Sequence, residues 1–337
     1  MKEMPVLSAV LVAFVVTAVL GLWLVPLMRR LKYGQTILDI GPAWHKKSKQ
    51  GTPTMGGLMF IVGTVAAIIA GYMTSAAGGQ SGALLWAAAD KAKLLLGALM
   101  ALAFGMVGFA DDFIKVVKKR NLGLNARQKL VMQFLIALVY LGGLYLVGER
   151  SSMVFVPFFG WLQLGPLYWP LAMVGIVYLV NCVNLTDGLD GLCASVTLVS
   201  ALGFIILCTL LPVPGVGIMA GALAGGCLGF LIWNFHPAKI FMGDTGSMFL
   251  GGMVVALAFS LGIPIILLFM GILYICEGLS VVLQVISFKT TGKRIFKMSP
   301  IHHHFEMSGW SEVKIVVVFS LIQLIGCIVA AVAVRGM

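Results

Sequence analysis

The sequence predicts an all-α polytopic membrane protein with about ten transmembrane helices. Three observations lead there. Of the 337 residues, 60% are AVILMFWYC and only 10% are charged, whereas a soluble domain carries roughly 25% charged residues. Mean hydropathy is +1.05. Apolar runs of the roughly 20 residues that a bilayer demands recur along the whole chain, separated by short polar links. A water-soluble globule of this size has too little interior to hide so much apolar surface. A disordered chain needs the opposite composition.

The first run, 5–27, is too long for the apolar part of a signal peptide, and no small-residue cleavage site follows it. It is expected to remain as a spanning helix. Further spans are expected at 56–77, 93–110, 130–148, 167–183, 192–211, 216–233, 247–262, 265–287 and 313–334. LPVPG at 211–215 and GIP at 262–264 divide runs that are otherwise too long, because Pro and Gly interrupt helices. Between the fourth and fifth spans, SSMVFVPFFGWLQL (151–164) is aromatic, β-prone and centred near Gly160, which predicts a short interfacial hairpin. No internal repeat is visible, and residues 1–337 read as a single integral-membrane domain. Cys182, Cys193, Cys208, Cys227, Cys276 and Cys327 form no C-x-x-C, and most lie inside apolar runs. They read as small membrane-core residues.

Ten spans put both termini on one side. Lys2, Lys91, Lys93, Arg150 and Arg335 fall on that side, and the other 18 of the 23 Lys and Arg fall opposite. The positive-inside rule makes the basic side cytoplasmic and both termini external. The net charge of +11 therefore reflects orientation in a membrane, and no nucleic-acid partner is expected. The acids follow the same division, although insertion rules do not require it. Asp39, Asp111, Asp112, Asp187, Asp190, Asp244, Glu306 and Glu312 are inside, Glu3, Asp90 and Glu149 outside, and Glu277 lies within a span. One face thus holds nearly all the acid and base, the pattern of chemistry at the inner membrane surface. A buried acid hydrogen-bonded between helices is the plain reading of Glu277.

Four stretches carry that chemistry. GFADDF puts Asp111 and Asp112 after a span at a bilayer edge, where adjacent charges are costly. On a helix they point about 100° apart, so one faces a site and the other a polar loop. NCVNLTDGLDG (181–191) crowds Asn184, Thr186, Asp187 and Asp190 into one link, with Gly188 and Gly191 leaving room for a ligand. NFHPAKIFMGDTGS (234–247) sets Asp244 between glycines at a helix start, where free N–H groups favour phosphate oxygens. Phe241 offers a flat face for a base. In SPIHHHFEMSG (299–309), neighbouring histidines diverge and no Cys accompanies them, so donation to phosphate or sugar oxygens is expected rather than zinc. Carboxylates with Asn and Thr oxygens suit Mg²⁺ or Mn²⁺. With Lys, His and helix N-termini they compose a phosphoryl-transfer site. No G-x-x-x-x-G-K-[ST] is present, so ATP is not the expected donor.

NLTDGLDGL, FMGDTGSMFLGG, GFADDF and PIHHHFE together resemble the polyprenyl-phosphate N-acetylhexosamine-1-phosphate transferases. PIHHHFE and HKKSKQGTPTMGG bring the chain nearest the branch that uses UDP-MurNAc-pentapeptide. The resemblance implies ten spans with external termini, a bacterial plasma membrane location and a homodimer. It implies transfer of phospho-MurNAc-pentapeptide to undecaprenyl phosphate with Mg²⁺, giving lipid I and UMP. Position by position, it makes Asp244 the Mg²⁺ ligand, and Asp111, Asp112, Asp187 and His303 its companions in catalysis. It places Asn184, Asp187, Asp190, Phe241 and Gly243 at the nucleoside, and Lys49, Thr54, Lys115, Gln284, His303 and His304 along the cleft. Asn234, Ser247 and His302, within the same motifs, join the substrate-binding set. In-line attack by the acceptor phosphate is the preferred route, with a two-step route through an aspartyl-phosphate-type intermediate open. A sister transferase of UDP-GlcNAc is the alternative. A secondary transporter needs ionisable groups near mid-membrane, and only Glu277 qualifies.

Overall fold

The structure, a computed structural model, describes residues 4–31, 49, 51–77, 88–117, 123–211 and 213–337. Most of the basic loop around HKKSKQ, and the basic residues at 118–120, lie outside the described residues.

Among the described residues, ten helices are long and apolar enough to cross a membrane. They are α1 (Met4–Arg30), α2 (Gly57–Ala77), α3 (Ala88–Val117), α4 (Ala126–Leu146), α5 (Tyr168–Thr186), α6 (Leu192–Leu210), α7 (Pro214–Asn234), α8 (Gly243–Ser260), α9 (Ile272–Thr291) and, after a short α10 (Ile301–Glu306), α11 (Glu312–Arg335). Each expected span overlaps one of them. The chain is an integral membrane protein. The expected hairpin is also present: β1 (Met153–Val156) pairs antiparallel with β2 (Gly160–Gln163), with Met153 opposite Gln163 and Val156 opposite Gly160.

Two boundaries differ from the sequence expectation. α3 continues about two turns past residue 110, because ADDFIKVV contains no breaker and Asp111 pairs with Lys115 one turn on. The acids thus stand on a rigid helix rather than after its end. The ninth span is interrupted: a 3₁₀ turn at Pro264–Ile266 and a single turn at Leu267–Met270 precede Gly271, and α9 starts only at Ile272.

α8 is the axis of the bundle. Every residue from Thr245 to Ser260 is buried. α3 packs along one side of it and α5 along another. Small residues permit this closeness: Gly252 lies against Ala101 and Gly251 against Val180. The outer helices expose apolar side chains such as Leu11, Trp23, Val139, Ile325 and Ile328, as a lipid-facing surface requires. Burying α8 so fully fixes its N-terminus, and that end is where the polar residues collect.

Candidate functional site

Three carboxylates surround the start of α8. Asp112, from α3, accepts from Asp244 N (3.2 Å) through Oδ1 and from Thr245 N (2.9 Å) and Thr245 Oγ1 (2.7 Å) through Oδ2. It caps α8 from a different helix, satisfying donors that the helix cannot satisfy itself. Gly243 makes this possible. Its φ is +72°, and a Cβ there would stand 2.5 Å from Asp112 Oδ2 and 2.8 Å from Thr54 Oγ1.

Asp111 faces the other way. Its Oδ1 accepts from Leu124 N (2.8 Å), in the α3–α4 link, and its Oδ2 lies 2.5 Å from Lys115 Nζ. Asp244 lies between two lysines: Oδ2 is 2.7 Å from Lys129 Nζ and 3.2 Å from Lys115 Nζ. Its Oδ1 accepts from Asn184 Nδ2 (2.9 Å), which also donates to Ser247 Oγ (2.7 Å).

A second cluster surrounds Lys49. Its Nζ is 2.8 Å from Asp190 Oδ1 and 2.6 Å from Glu312 Oε2. Asp190 Oδ2 also accepts from Ala238 N (2.9 Å) and lies 3.2 Å from His236 Nδ1. Asn234 ties the links together by accepting from Gly191 N (3.1 Å) and donating to Ile240 O (2.9 Å). Phe241 bonds through its backbone to Pro53 and Gly56, which brings the Thr54 segment to the start of α8.

Asp187, the cap of α5, belongs electrostatically to both clusters. Burial raises its carboxyl well above the usual carboxylate range. Negative charge on Asp244, Asp112 and Asp190 pushes the same way, and Lys49 opposes it.

The histidine segment packs beneath. His302 is fully buried, with Nδ1 3.1 Å from Glu277 Oε2. This pairing joins α9 to α10 and gives Glu277 the structural partner that the plain reading required. The His302 ring fills the space beside Gly188, where a Cβ would meet Nε2 at 2.2 Å. His303 Nδ1 lies 2.9 Å from Glu306 Oε2, and His304 Nδ1 accepts from Lys297 N (3.1 Å). Gln284 uses both ends on the link after α9, donating to Phe296 O and accepting from Ile295 N and Phe296 N.

The donor set suits a hard cation. Asp111, Asp112 and Asp244 each present a carboxylate oxygen within 4.8 Å of the others. Asp111 Oδ2 is buried and makes no directed hydrogen bond. All the candidate ligands are oxygens, as Mg²⁺ prefers. Asp112 holds the α8 backbone with both oxygens, whereas the Oδ2 atoms of Asp244 and Asp111 face only mobile lysine ammonium groups, which a cation can displace, so Asp244 and Asp111 are the better ligands. Three carboxylates against two ammonium groups leave excess negative charge, which favours a cation and repels a bare phosphate.

A family model described as glycosyl transferase family 4 matches residues 94–262, and a phospho-N-acetylmuramoyl-pentapeptide-transferase signature matches residues 49–61. The chain is 46% identical over 318 residues to the phospho-N-acetylmuramoyl-pentapeptide-transferase of Heliobacterium modesticaldum, covering 94% of each. It is 46% identical over 332 residues to that of Clostridium botulinum strain Alaska E43, covering 97% of this chain and 96% of the relative. For Acetivibrio thermocellus the figure is 45% over 331 residues, covering 96% and 94%. This chain belongs to the phospho-N-acetylmuramoyl-pentapeptide-transferase family.

The transferase match at 94–262 contains the five aspartates of both clusters, and the signature contains Lys49 and Thr54. Sequence reasoning missed three contributors that the fold brings in. Lys129 enters from the first turn of α4, Glu312 from the first residue of α11, and His236 from the α7–α8 link. Lys129 and Glu312 lie outside every motif, and their nearest signal was their placement on the basic, acid-rich face. His236 lies within NFHPAKIFMGDTGS but was not singled out.

Proposed function

We propose that this transferase moves phospho-MurNAc-pentapeptide from UDP-MurNAc-pentapeptide to undecaprenyl phosphate, releasing UMP and forming lipid I. The reading places the whole chain, 1–337, as one unit in the bacterial plasma membrane, acting as a homodimer with termini outside and both clusters on the cytoplasmic side. The observation that carries it is the juxtaposition of Asp111 and Asp244 with Lys115 and Lys129 at the start of a buried helix. That arrangement offers anionic ligands and cationic groups to a pyrophosphate at one point.

The acceptor, a phosphomonoester with a second pKa near 6, is largely dianionic at neutral pH and needs little activation. Its oxygen forms a bond to the β-phosphorus of the donor in line with the departing group. The bond from that phosphorus to the bridging oxygen breaks, and UMP leaves with the electron pair. Lys115 and Lys129 face the phosphoryl oxygens and offset their charge. Asp111 is placed to take a residual acceptor proton, whereas Asp112 is held by α8. Asp244 and Asp111 would hold Mg²⁺, which would neutralise the pyrophosphate charge. Asn184 orients Asp244, and Asp187 spans the gap towards the Lys49 cluster, where the nucleoside end of the donor lies. Phe241 shapes that end. Thr54, Gly243 and Ser247 line the pyrophosphate end beside Asp112 and Asn184, and Gln284 with His302, His303 and His304 closes the remaining wall.

Purified protein incubated with UDP-MurNAc-pentapeptide, undecaprenyl phosphate and Mg²⁺ is expected to release UMP only when all three are present. UMP release with UDP-GlcNAc, and none with UDP-MurNAc-pentapeptide, would move the chain to the alternative substrate class. Stoichiometric UMP release without acceptor would favour the two-step route.

A further inference from the structure

Lys49 is held by two carboxylates that come from distant parts of the chain. Glu312, 263 residues away, is the first residue of α11, and Ser311 Oγ caps that helix by accepting from Lys314 N. A single oxygen of Glu312, Oε2, accepts from Lys49 Nζ (2.6 Å) and from Asp190 N (3.1 Å). Glu312 therefore grips both the lysine and the backbone of the turn that carries Asp190. Asp190 completes the grip through Oδ1, while its Oδ2 is engaged by Ala238 N and His236.

Asp190, His236 and Glu312 also satisfy the distances for a metal centre. The Lys49 ammonium already lies between the two carboxylates, so the positive charge such a centre needs is built into the chain. An ammonium has three N–H donors. One is directed at Glu312, the ammonium stands 2.8 Å from Asp190 Oδ1 as an ion pair, and among the described residues no other acceptor takes what remains. A lysine side chain ordinarily keeps much rotamer freedom. Here that freedom is removed before any ligand arrives, and preorganisation of this kind raises affinity without adding a contact.

We propose that Glu312 is a positioning residue for the donor nucleotide, holding Lys49 and the Asp190 turn so that the remaining Lys49 N–H meets an oxygen of the nucleotide. The inference rests on the proposed placement of the nucleoside end at the Lys49 cluster. Asp190, with both oxygens engaged inside the protein, then acts through Lys49 as Glu312 does. The last spanning helix thereby becomes part of donor recognition, although it contributes no residue to the acid cluster.

The test is steady-state kinetics with both substrates varied, on Glu312→Ala, Glu312→Gln, Lys49→Met, Asp190→Asn and the Glu312→Ala/Lys49→Met pair. Glu312→Ala is expected to raise the donor KM roughly 5- to 30-fold, the loss of one charge-assisted contact, with kcat and the acceptor KM within about threefold of wild type. Glu312→Gln should raise it less, because its amide oxygen still accepts from both partners. The paired variant should be no worse than Lys49→Met alone, since the two residues act as one unit. An unchanged donor KM in Glu312→Ala, a loss confined to kcat, or additive effects in the pair would overturn the inference. If Glu312→Ala does not fold, the donor KM of Glu312→Gln decides, and an unchanged value overturns it. Should Lys49→Met and Asp190→Asn both keep a wild-type donor KM, the placement of the nucleotide fails. Should they raise it while Glu312→Ala does not, only the role of Glu312 fails.

Discussion

Replacing Asp244 by Asn is expected to lower kcat by about 10²- to 10³-fold, the size of effect seen when one preorganised electrostatic group is removed from a reacting centre. The substitution keeps the shape of the side chain and leaves Asn184 a partner. It removes the charge that faces Lys129 at 2.7 Å and Lys115 at 3.2 Å. Two ammonium groups then share Asp111 as their remaining carboxylate among the described contacts, and the hard-cation donor set loses its central anion. UMP release at saturating substrates, with Mg²⁺ titrated, measures the effect. A variant within about tenfold of wild type at limiting Mg²⁺ would show that Asp244 is not central to the chemistry.

The second large effect is expected in stability. Asp112→Ala strips three acceptor contacts from the first turn of α8, leaving Asp244 N, Thr245 N and Thr245 Oγ1 without partners in a buried setting. Loss of a cap together with unsatisfied buried donors costs about 2–4 kcal/mol. Because α8 is the buried axis of the bundle, that cost should appear as a lowered thermal midpoint in detergent. Asp111→Ala removes one backbone contact, at Leu124, and an ion pair to Lys115, whose ammonium keeps Asp244 as a partner, so its midpoint should fall less. Equal midpoints for Asp112→Ala and wild type would contradict the capping role. Asp112→Asn should fall between the two, because its amide keeps one acceptor oxygen.

Much of the fold is legible in the sequence because the bilayer imposes a length. Each spanning helix needs an apolar run, and Pro, Gly and charged links mark where one stops. The hairpin at 153–163 was legible for a similar reason: aromatic and β-branched residues flank a glycine. The extension of α3 to Val117 was less so, since charged residues at a bilayer edge look like a terminus even where the helix continues through them. Gly262-Ile-Pro264 marks the break after α8 where it was expected, whereas the further break at Gly271 had no proline to announce it.

Within the site, residues sharing a motif were found together because the chain itself brings them together. Asp187 lies three residues from Asn184 and three from Asp190 in one link. Lys129 lies 115 residues from Asp244, and Glu312 122 residues from Asp190. Their meeting depends on how α4 and α11 pack, which no local spacing encodes. The division of labour within Asp111-Asp112 was hidden for the same cause. Two neighbours on a helix must diverge, but only the position of α8 decides which becomes a cap and which faces the lysines.

The central claim is that Asp244 and Asp111 hold a divalent cation at the start of α8. Counting bound Mn²⁺ by electron paramagnetic resonance on the purified protein, wild type against Asp244→Asn, tests it without relying on turnover. The account predicts about one ion per chain in the wild type, as expected of a single Mg²⁺-type oxygen site, and its loss in the variant. An unchanged ion count in Asp244→Asn would contradict the account and place the metal elsewhere in the molecule.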